Sequence, residues 1–95
     1  MKRLCIDLSE CQTIDSIYTA LLSELGAPSW HGRNLDALWD SITDGDINKI
    51  KPPYYVEVQG ADRLPLELVS LLTQMRTLFE DVAAEQEIDV RFKIA

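Results

Sequence analysis

The sequence predicts an α/β fold in which a small three-stranded parallel sheet packs with three to four helices. Strand-like and helix-like segments follow one another in the order strand, helix, helix, strand, helix, strand. Helical connections between strands produce parallel neighbours with right-handed crossovers. The last strand alternates apolar with charged residues, so we expect helices to cover mainly one face of the sheet.

The first strand and the first helix have clear boundaries. Lys2–Leu8 has the apolar centre Leu4-Cys5-Ile6 and is predicted to be a short strand. Between residues 14 and 25, apolar side chains recur at offsets 0, 3, 4, 7, 8 and 11, which is one face of an α-helix. Thr13 can cap the start of this helix, and Gly26 can take the left-handed conformation that ends it.

A shorter second helix precedes the second strand. The helix is predicted from about Asn34, its N-cap, to Thr43, because apolar residues stand at offsets 0, 3, 4 and 7 from Leu35. A linker that closes with Pro52-Pro53 follows it. The β-branched and aromatic residues of Tyr54–Val58 then predict the second strand.

The last third of the chain predicts a turn, a long helix and a strand. Gly60–Arg63 is typical of a turn or a short helical piece. Pro65 suits the first turn of a helix over Leu66–Ala84, which carries apolar residues along one side. Ile88–Ile94 alternates strictly and is predicted to be a strand with one face buried and one face wet.

Length and composition predict a single domain over residues 1–95, because the chain is too short for two cores. Nine basic and 16 acidic residues give a formal charge of −7, which argues against nucleic-acid binding and favours a basic partner. No run approaches the roughly 18 apolar residues of a membrane span. The apolar run near the start stops at Asp7, so no signal peptide is predicted. Two cysteines, Cys5 and Cys11, indicate reduced thiols in a cytoplasmic protein.

The second helix carries an unusual line of acids, here called the acidic row: Asp36, Asp40 and Asp44. Residues four apart project from the same side of a helix, and like charges at that spacing cost a few tenths of a kcal/mol per pair. Asp44 also opposes the helix dipole at the C-terminal end. A cationic partner would be a reason to keep the row, and a solvated helix face is the alternative interpretation.

The loop before this helix contains two rings, Trp30 and His31, beside Gly32. Aromatic residues are enriched at interface hot spots, so we expect this loop to form a contact surface together with the acidic row. Trp39 lies on the apolar stripe of the helix, where a core or part-buried position is favoured. A single loop histidine more often packs or forms hydrogen bonds than acts as a general base.

Metal and enzyme interpretations find little support. Residues 44–48 imitate the opening of an EF-hand loop, but Lys49 and Tyr55 stand where that loop needs glycine and glutamate. A magnesium site on the acidic row stays an alternative, although no nucleophile or phosphate-binding glycine loop accompanies it. We therefore predict that the protein is not an enzyme and needs no metal or cofactor.

The run from Trp30 to Asp40 resembles the signature of the barstar family, small intracellular inhibitors of secreted barnase-like ribonucleases. Its specific part, Gly-x-Asn-Leu-Asp-Ala-Leu-Trp-Asp, matches at all eight defined positions between residues 32 and 40. The predicted order of strands and helices agrees more loosely over nearly the whole chain. The resemblance implies a barstar-like fold and a cis peptide bond before Pro53.

The resemblance also implies roles for individual residues. Asp40 would stand in for the RNA phosphate among the cationic catalytic groups of a ribonuclease, and Asp36 would meet cationic or amide groups nearby. The ring of Trp30 would lie against the catalytic region, Trp39 would flank it, and Glu80 or Asp81 would approach the basic rim. The complete predicted contact surface is Trp30, His31, Gly32, Asn34, Asp36, Trp39, Asp40, Thr43, Asp44, Glu80 and Asp81.

Some positions depart from the family pattern. His31 and Arg33 stand where the family has an aromatic residue and an acid. The segment that begins with residues 44–48 lacks the family's aromatic residue, and it is longer than the family's segment before the proline. These differences suggest a target other than barnase itself. The leading hypothesis is an immunity protein or antitoxin, monomeric when free, that forms a 1:1 complex with a basic ribonuclease. The alternatives are a non-inhibitory module for another basic protein and a magnesium-dependent hydrolase.

Overall fold

A computed structural model describes residues 2–95 of the chain. The described part contains three strands, three α-helices and one short 3-10 helix, in the predicted order. Their bounds are β1 Lys2–Asp7, α1 Ile14–Leu25, α2 Leu35–Thr43, β2 Tyr54–Gln59, the 3-10 helix Ala61–Arg63, α3 Leu66–Glu85 and β3 Val90–Ile94. Within residues 2–95, no helix is both long and apolar enough to cross a membrane.

The three strands form one parallel sheet in the order β1-β2-β3, which confirms the predicted sheet. Leu4, Val56 and Phe92 stand side by side across it, and all three are buried. The alternate positions are more exposed, as expected when helices cover one face. On the open face, Arg3 donates a 2.9 Å hydrogen bond to Glu57, which holds the pKa of the Glu57 carboxyl below its ordinary value.

The core lies between the covered face of the sheet and the apolar sides of the helices. Each helix contributes side chains with no exposed area, such as Leu25 from α1, Leu38 from α2 and Phe79 from α3. The ring of Phe79 lies 5.2 Å from that of Phe92 on β3, centroid to centroid, with a 40° tilt. Burial of these apolar faces is the main force that holds the helices to the sheet.

The last strand begins later than the sequence predicts, at Val90 instead of Ile88. Val90 pairs with Tyr54, the first residue of β2. Pro52 and Pro53 precede Tyr54 and have no backbone N–H to offer a neighbouring strand, so the ladder cannot extend to Ile88. The peptide bond between the two prolines is cis, which confirms the expectation from the family resemblance.

The end of α1 is joined to the linker that follows α2. Gly26 ends the helix at φ +67°, the left-handed conformation expected for it. Its carbonyl accepts a hydrogen bond of 3.2 Å from the N–H of Lys49, and the Leu25 carbonyl accepts one of 3.1 Å from Ile50. A Cβ atom on residue 26 would stand 2.7 Å from the Lys49 Cβ, so only glycine fits this close approach.

Tyr54 makes the fold sensitive to alkali. Its side chain is 1% exposed, and burial raises its pKa from 10.0 to about 12. Because the folded-state pKa is raised, its contribution to stability is complete below about pH 10 and is lost as the pH rises to about 12. The loss amounts to roughly 3 kcal/mol at most.

We therefore expect the free energy of unfolding, measured with urea between about pH 9 and 12, to fall steeply in the wild type and less in Tyr54→Phe. Tyr55→Phe removes a hydroxyl from the open face of the sheet and serves as the matched control, with a fall equal to that of the wild type. Equal falls in all three proteins would show that the buried phenol does not contribute.

Candidate protein-binding surface

The second helix packs one side against the core and exposes the other side to solvent. Asn34 caps it, because its side-chain oxygen accepts a hydrogen bond of 2.7 Å from the N–H of Ala37. Leu38 and Ile42 are buried against the core, and α2 packs beside α3. At the other end, the N–H of Asp44 donates to the Asp40 carbonyl at 2.8 Å. Each end of the helix thus has a local hydrogen bond, and the side that carries Asp36 and Asp40 is exposed.

All three carboxylates of the acidic row are exposed. None of them belongs to an ion pair within residues 2–95. One oxygen of Asp44 accepts a hydrogen bond of 3.0 Å from the N–H of Asp46, which shapes the turn after the helix. The acidic row therefore offers negative charge to solvent that no ion pair within residues 2–95 neutralises.

The row does not assemble as a metal site. In the part of the chain that the structure describes, no three histidine, cysteine, aspartate or glutamate side chains lie close enough together to hold a metal ion. The geometry thus gives no support to the alternative of a magnesium site on Asp36, Asp40 and Asp44.

Trp30 stands out in the loop between α1 and α2. Its side chain is 73% exposed, although an indole ring is among the largest apolar groups that a protein can bury. The loop turns at this point, with the N–H of His31 donating to the Pro28 carbonyl at 3.0 Å. An exposed ring on a closed turn beside an acidic helix is the arrangement expected of an interface anchor.

His31, the next residue, is buried and only 8% exposed. Its Nδ1 lies 2.5 Å from the Gly32 carbonyl, which can only accept, so Nδ1 carries the hydrogen. Nε2 is buried without a hydrogen-bond partner within residues 2–95. The loop therefore presents one ring to solvent, Trp30, and not two. The imidazole supports the loop from inside.

Gly32 lets the loop approach the first turn of α2. A Cβ atom at this position would stand 3.0 Å from the Cβ of Ala37 and 3.3 Å from the Asn34 side-chain nitrogen. Both contacts are tighter than ordinary side-chain packing. The signature residues Gly32 and Asn34 thus let the loop lie close against the first turn of the helix.

Arg33 is held against α1. Its Nη1 donates to the Thr19 hydroxyl at 2.6 Å and to the Asp15 carbonyl at 3.3 Å, while its Nε lies 3.3 Å from an Asp15 carboxylate oxygen. The sequence alone suggests a basic residue in the contact loop, but these bonds engage the guanidinium with the neighbouring helix. Arg33 comes directly before the N-cap of α2, so these bonds connect the start of α2 to the first turns of α1.

Removing this tether should cost stability. We expect Arg33→Ala to lower the free energy of unfolding by about 0.5–1.5 kcal/mol, because a hydrogen bond to a charged group is lost together with a half-exposed ion pair. Thr19→Val should reproduce part of the loss in urea unfolding. Arg63→Ala is the matched control, since Arg63 is exposed and has no ion pair within residues 2–95. An equal effect of Arg63→Ala would contradict the assignment.

The remaining predicted contact residues occupy different environments. Trp39 is part-buried against the core, as its place on the apolar stripe predicts. Thr43 is half-buried and donates its hydroxyl to the Trp39 carbonyl at 2.9 Å. On α3, Glu80 and Asp81 are both exposed. Helical geometry puts both on the side of α3 away from its buried stripe, and Glu80 lies 3.8 Å from the Nε of Arg76.

Asn48, in the linker after α2, supports that helix, and the sequence alone does not predict this role. It is buried, and its amide nitrogen donates to the Ser41 carbonyl at 3.3 Å. Its side-chain oxygen has no partner within residues 2–95. Sequence patterns place Asn48 only in a polar turn, because the contact joins two residues that belong to no common periodic element.

Comparison with known proteins identifies the family of the chain. A protein of Bacillus subtilis (strain 168), described as "Putative ribonuclease inhibitor YrdF", is 40% identical to the chain over 43 residues. This segment covers 45% of the chain and 47% of the Bacillus protein, so the chain spans about half the length of the curated relative that it matches. The sequence model of the family described as Barstar (barnase inhibitor) matches residues 1–95. The chain belongs to the barstar family.

Proposed function

We propose that this protein inhibits a barnase-like ribonuclease by covering its active site with α2 and the loop before it. The observation that carries the proposal is the acidic row, three exposed carboxylates on one helix with no ion pair within residues 2–95. A ribonuclease must hold phosphate, so its active site is rich in cations. Membership in the barstar family of barnase inhibitors and the similarity to the Bacillus protein both support this class of target.

The mechanism is occlusion with electrostatic complementarity. Asp40, near the middle of the exposed side of α2, takes the place of the RNA phosphate among the cationic catalytic groups, and Asp36 meets the groups beside them. A carboxylate that loses water inside a cationic pocket gains strong coupling to its new partners. The opposite net charges of the two proteins accelerate their encounter. No covalent step and no cofactor is involved.

Trp30 supplies the apolar part of the contact. Its exposed ring would pack against the catalytic region of the ribonuclease and exclude water from the charged contacts. Thr43 and Asp44 extend the surface toward the end of α2, and Glu80 or Asp81 extends it on α3. The ring of Trp39 and the buried His31 act beneath the surface, by holding the helix and the loop in place.

The biological setting follows from this activity. We propose that the protein acts in the cytoplasm as an immunity protein or antitoxin, as a monomer that forms a 1:1 complex with the ribonuclease. A charge of −7 is consistent with a partner of opposite sign.

The direct test is titration of a barnase-like ribonuclease with the protein while RNA cleavage is followed. We expect inhibition that saturates at one inhibitor per enzyme and association that slows as salt rises. A ribonuclease that stays fully active would contradict the proposal and would favour a non-inhibitory module for another basic protein. RNA cleavage by the protein alone, abolished by a metal chelator, would favour the hydrolase alternative.

A further inference from the structure

An open cleft lies beside the C-terminal end of α2, where three distant parts of the chain meet. It has a volume of about 430 Å³. We call it the rim cleft, and its walls come from the end of α2, from the proline pair and from the connection between α3 and β3. The lining residues are Ile42, Thr43, Gly45, Pro52, Pro53, Glu87, Ile88 and Asp89.

The walls of the rim cleft combine apolar and acidic groups. Ile42, Ile88 and the two prolines provide apolar surface, and Glu87 and Asp89 provide two carboxylates. None of the lining residues that the structure describes is a lysine, an arginine or a histidine. Asp89 lies 3.7 Å from the Nε of the exposed Arg91, whereas Glu87 has no ion pair within residues 2–95. The cleft thus suits a ligand with an apolar body and a positive end.

The backbone at Glu87 adds a second observation. Glu87 follows Gln86, the C-cap of α3, and has φ +56°, in the left-handed region. Helices commonly end with glycine at this position, because a side chain there is strained. The chain therefore holds a carboxylate at the edge of the rim cleft in a backbone conformation that glycine would adopt at lower cost.

The rim cleft is continuous with the acidic row. Thr43 lines the cleft and is the last residue of α2, less than one turn after Asp40. The Thr43 hydroxyl lies 3.3 Å from the Asp40 carbonyl. A protein that covers Asp40 would therefore extend to the mouth of the cleft.

We propose that the rim cleft receives a lysine or arginine side chain of the bound ribonuclease, and so adds a specificity contact outside the enzyme's active site. This inference rests on the proposed function. The aliphatic stem would lie on Pro52, Pro53 and Ile88, and the charged end would meet Glu87 and Asp89. Long cationic side chains bury their stems in this way while the charge stays near polar groups. The ribonuclease is the occupant because its positive charge complements both the cleft and the adjoining row.

Two variants of one residue test this contact against the ribonuclease that the wild type inhibits. Glu87→Gln removes the charge, and Glu87→Gly removes the side chain and relieves the left-handed strain. We expect each variant to bind about 5- to 20-fold more weakly, mainly through faster dissociation. Glu87→Gly should be at least as stable as the wild type in urea unfolding, so weaker binding could not come from a folding defect.

Glu10→Gln is the matched control, because Glu10 follows the carboxyl end of β1, at the end of the sheet opposite the cleft. It should leave dissociation unchanged, and any effect on association should vanish at about 0.5 M salt, where the screening length is only about 4 Å. The loss from Glu87→Gln should persist there. If Asp40→Ala weakens binding but both Glu87 variants bind like the wild type, the rim cleft is not a contact. If the wild type binds no barnase-like ribonuclease, the proposed function fails and this contact fails with it.

Discussion

Replacement of Asp40 with alanine is expected to weaken binding to a barnase-like ribonuclease by about 30- to 5,000-fold, which corresponds to roughly 2–5 kcal/mol. That range for one partner of a desolvated charge pair rests in part on barnase and barstar themselves. Asp40 is exposed and has no ion pair within residues 2–95, so it has no counter-ion of its own to give up. Its removal leaves the cations of the ribonuclease buried without a partner.

The same substitution should leave the fold intact. Asp40 is exposed in the middle of α2, where alanine is the better helix former. The substitution also removes the repulsion between Asp40 and the like charges of Asp36 and Asp44. The free energy of unfolding should therefore stay within about 0.5 kcal/mol of the wild type or rise. Binding is measured by calorimetry or by inhibition, and stability by urea unfolding.

Asp62→Ala is the matched control for the loss of one negative charge. Asp62 is exposed in the 3-10 helix that follows the carboxyl end of β2. The end of α2 lies at the opposite end of that strand, because it lines the rim cleft together with Pro53, which precedes β2. We expect its affinity to change by less than about threefold at physiological salt. Equal losses for Asp40→Ala and Asp62→Ala would mean that only net charge matters and that α2 is not the contact.

Replacement of Leu38 with alanine should lower stability and leave binding nearly unchanged, the opposite of what we expect for Asp40→Ala. Leu38 has no exposed area and lies on the side of α2 away from solvent. Truncation of such a side chain costs about 2–5 kcal/mol, because buried apolar contacts are lost and a cavity remains. In a chain of this size the melting temperature should fall by at least about 8 °C.

Leu66→Ala tests whether burial is the cause. Leu66 is 85% exposed at the start of α3, so the same change in side chain should alter stability by no more than about 0.5 kcal/mol. Below its melting temperature, folded Leu38→Ala should still bind the ribonuclease within a few fold of the wild type. Strong loss of binding by the folded variant would show that α2 shifts on the core, and that its two sides are not independent.

Much of the fold can be predicted because its signals are local. The Thr13 and Gly26 caps of α1 and the Asn34 cap of α2 lie where their residue types predict. Each depends on backbone groups within four residues. The start of β3 is different, because a strand begins where its neighbour can pair with it. The prolines before β2 set that limit from a distant part of the chain.

The candidate site divides in the same way. The spacing of Asp36, Asp40 and Asp44 already places them on one side of a helix, and the structure exposes all three. The loop before them is less predictable. Its two rings are neighbours in the sequence, which does not show which of them is buried. In the structure Trp30 is exposed and His31 is buried.

Sequence by itself therefore determined the elements, their order, the acidic side of α2 and the family. Hydrophobic period and helix capping depend on residues a few positions apart, so they can be read along the chain. Only the tertiary structure decided that His31 turns inward, that Arg33 holds α1, and that Thr43, Pro53 and Glu87 share one cleft. These outcomes depend on contacts between segments far apart in sequence, and burial and charge pairing are settled only when those segments pack together.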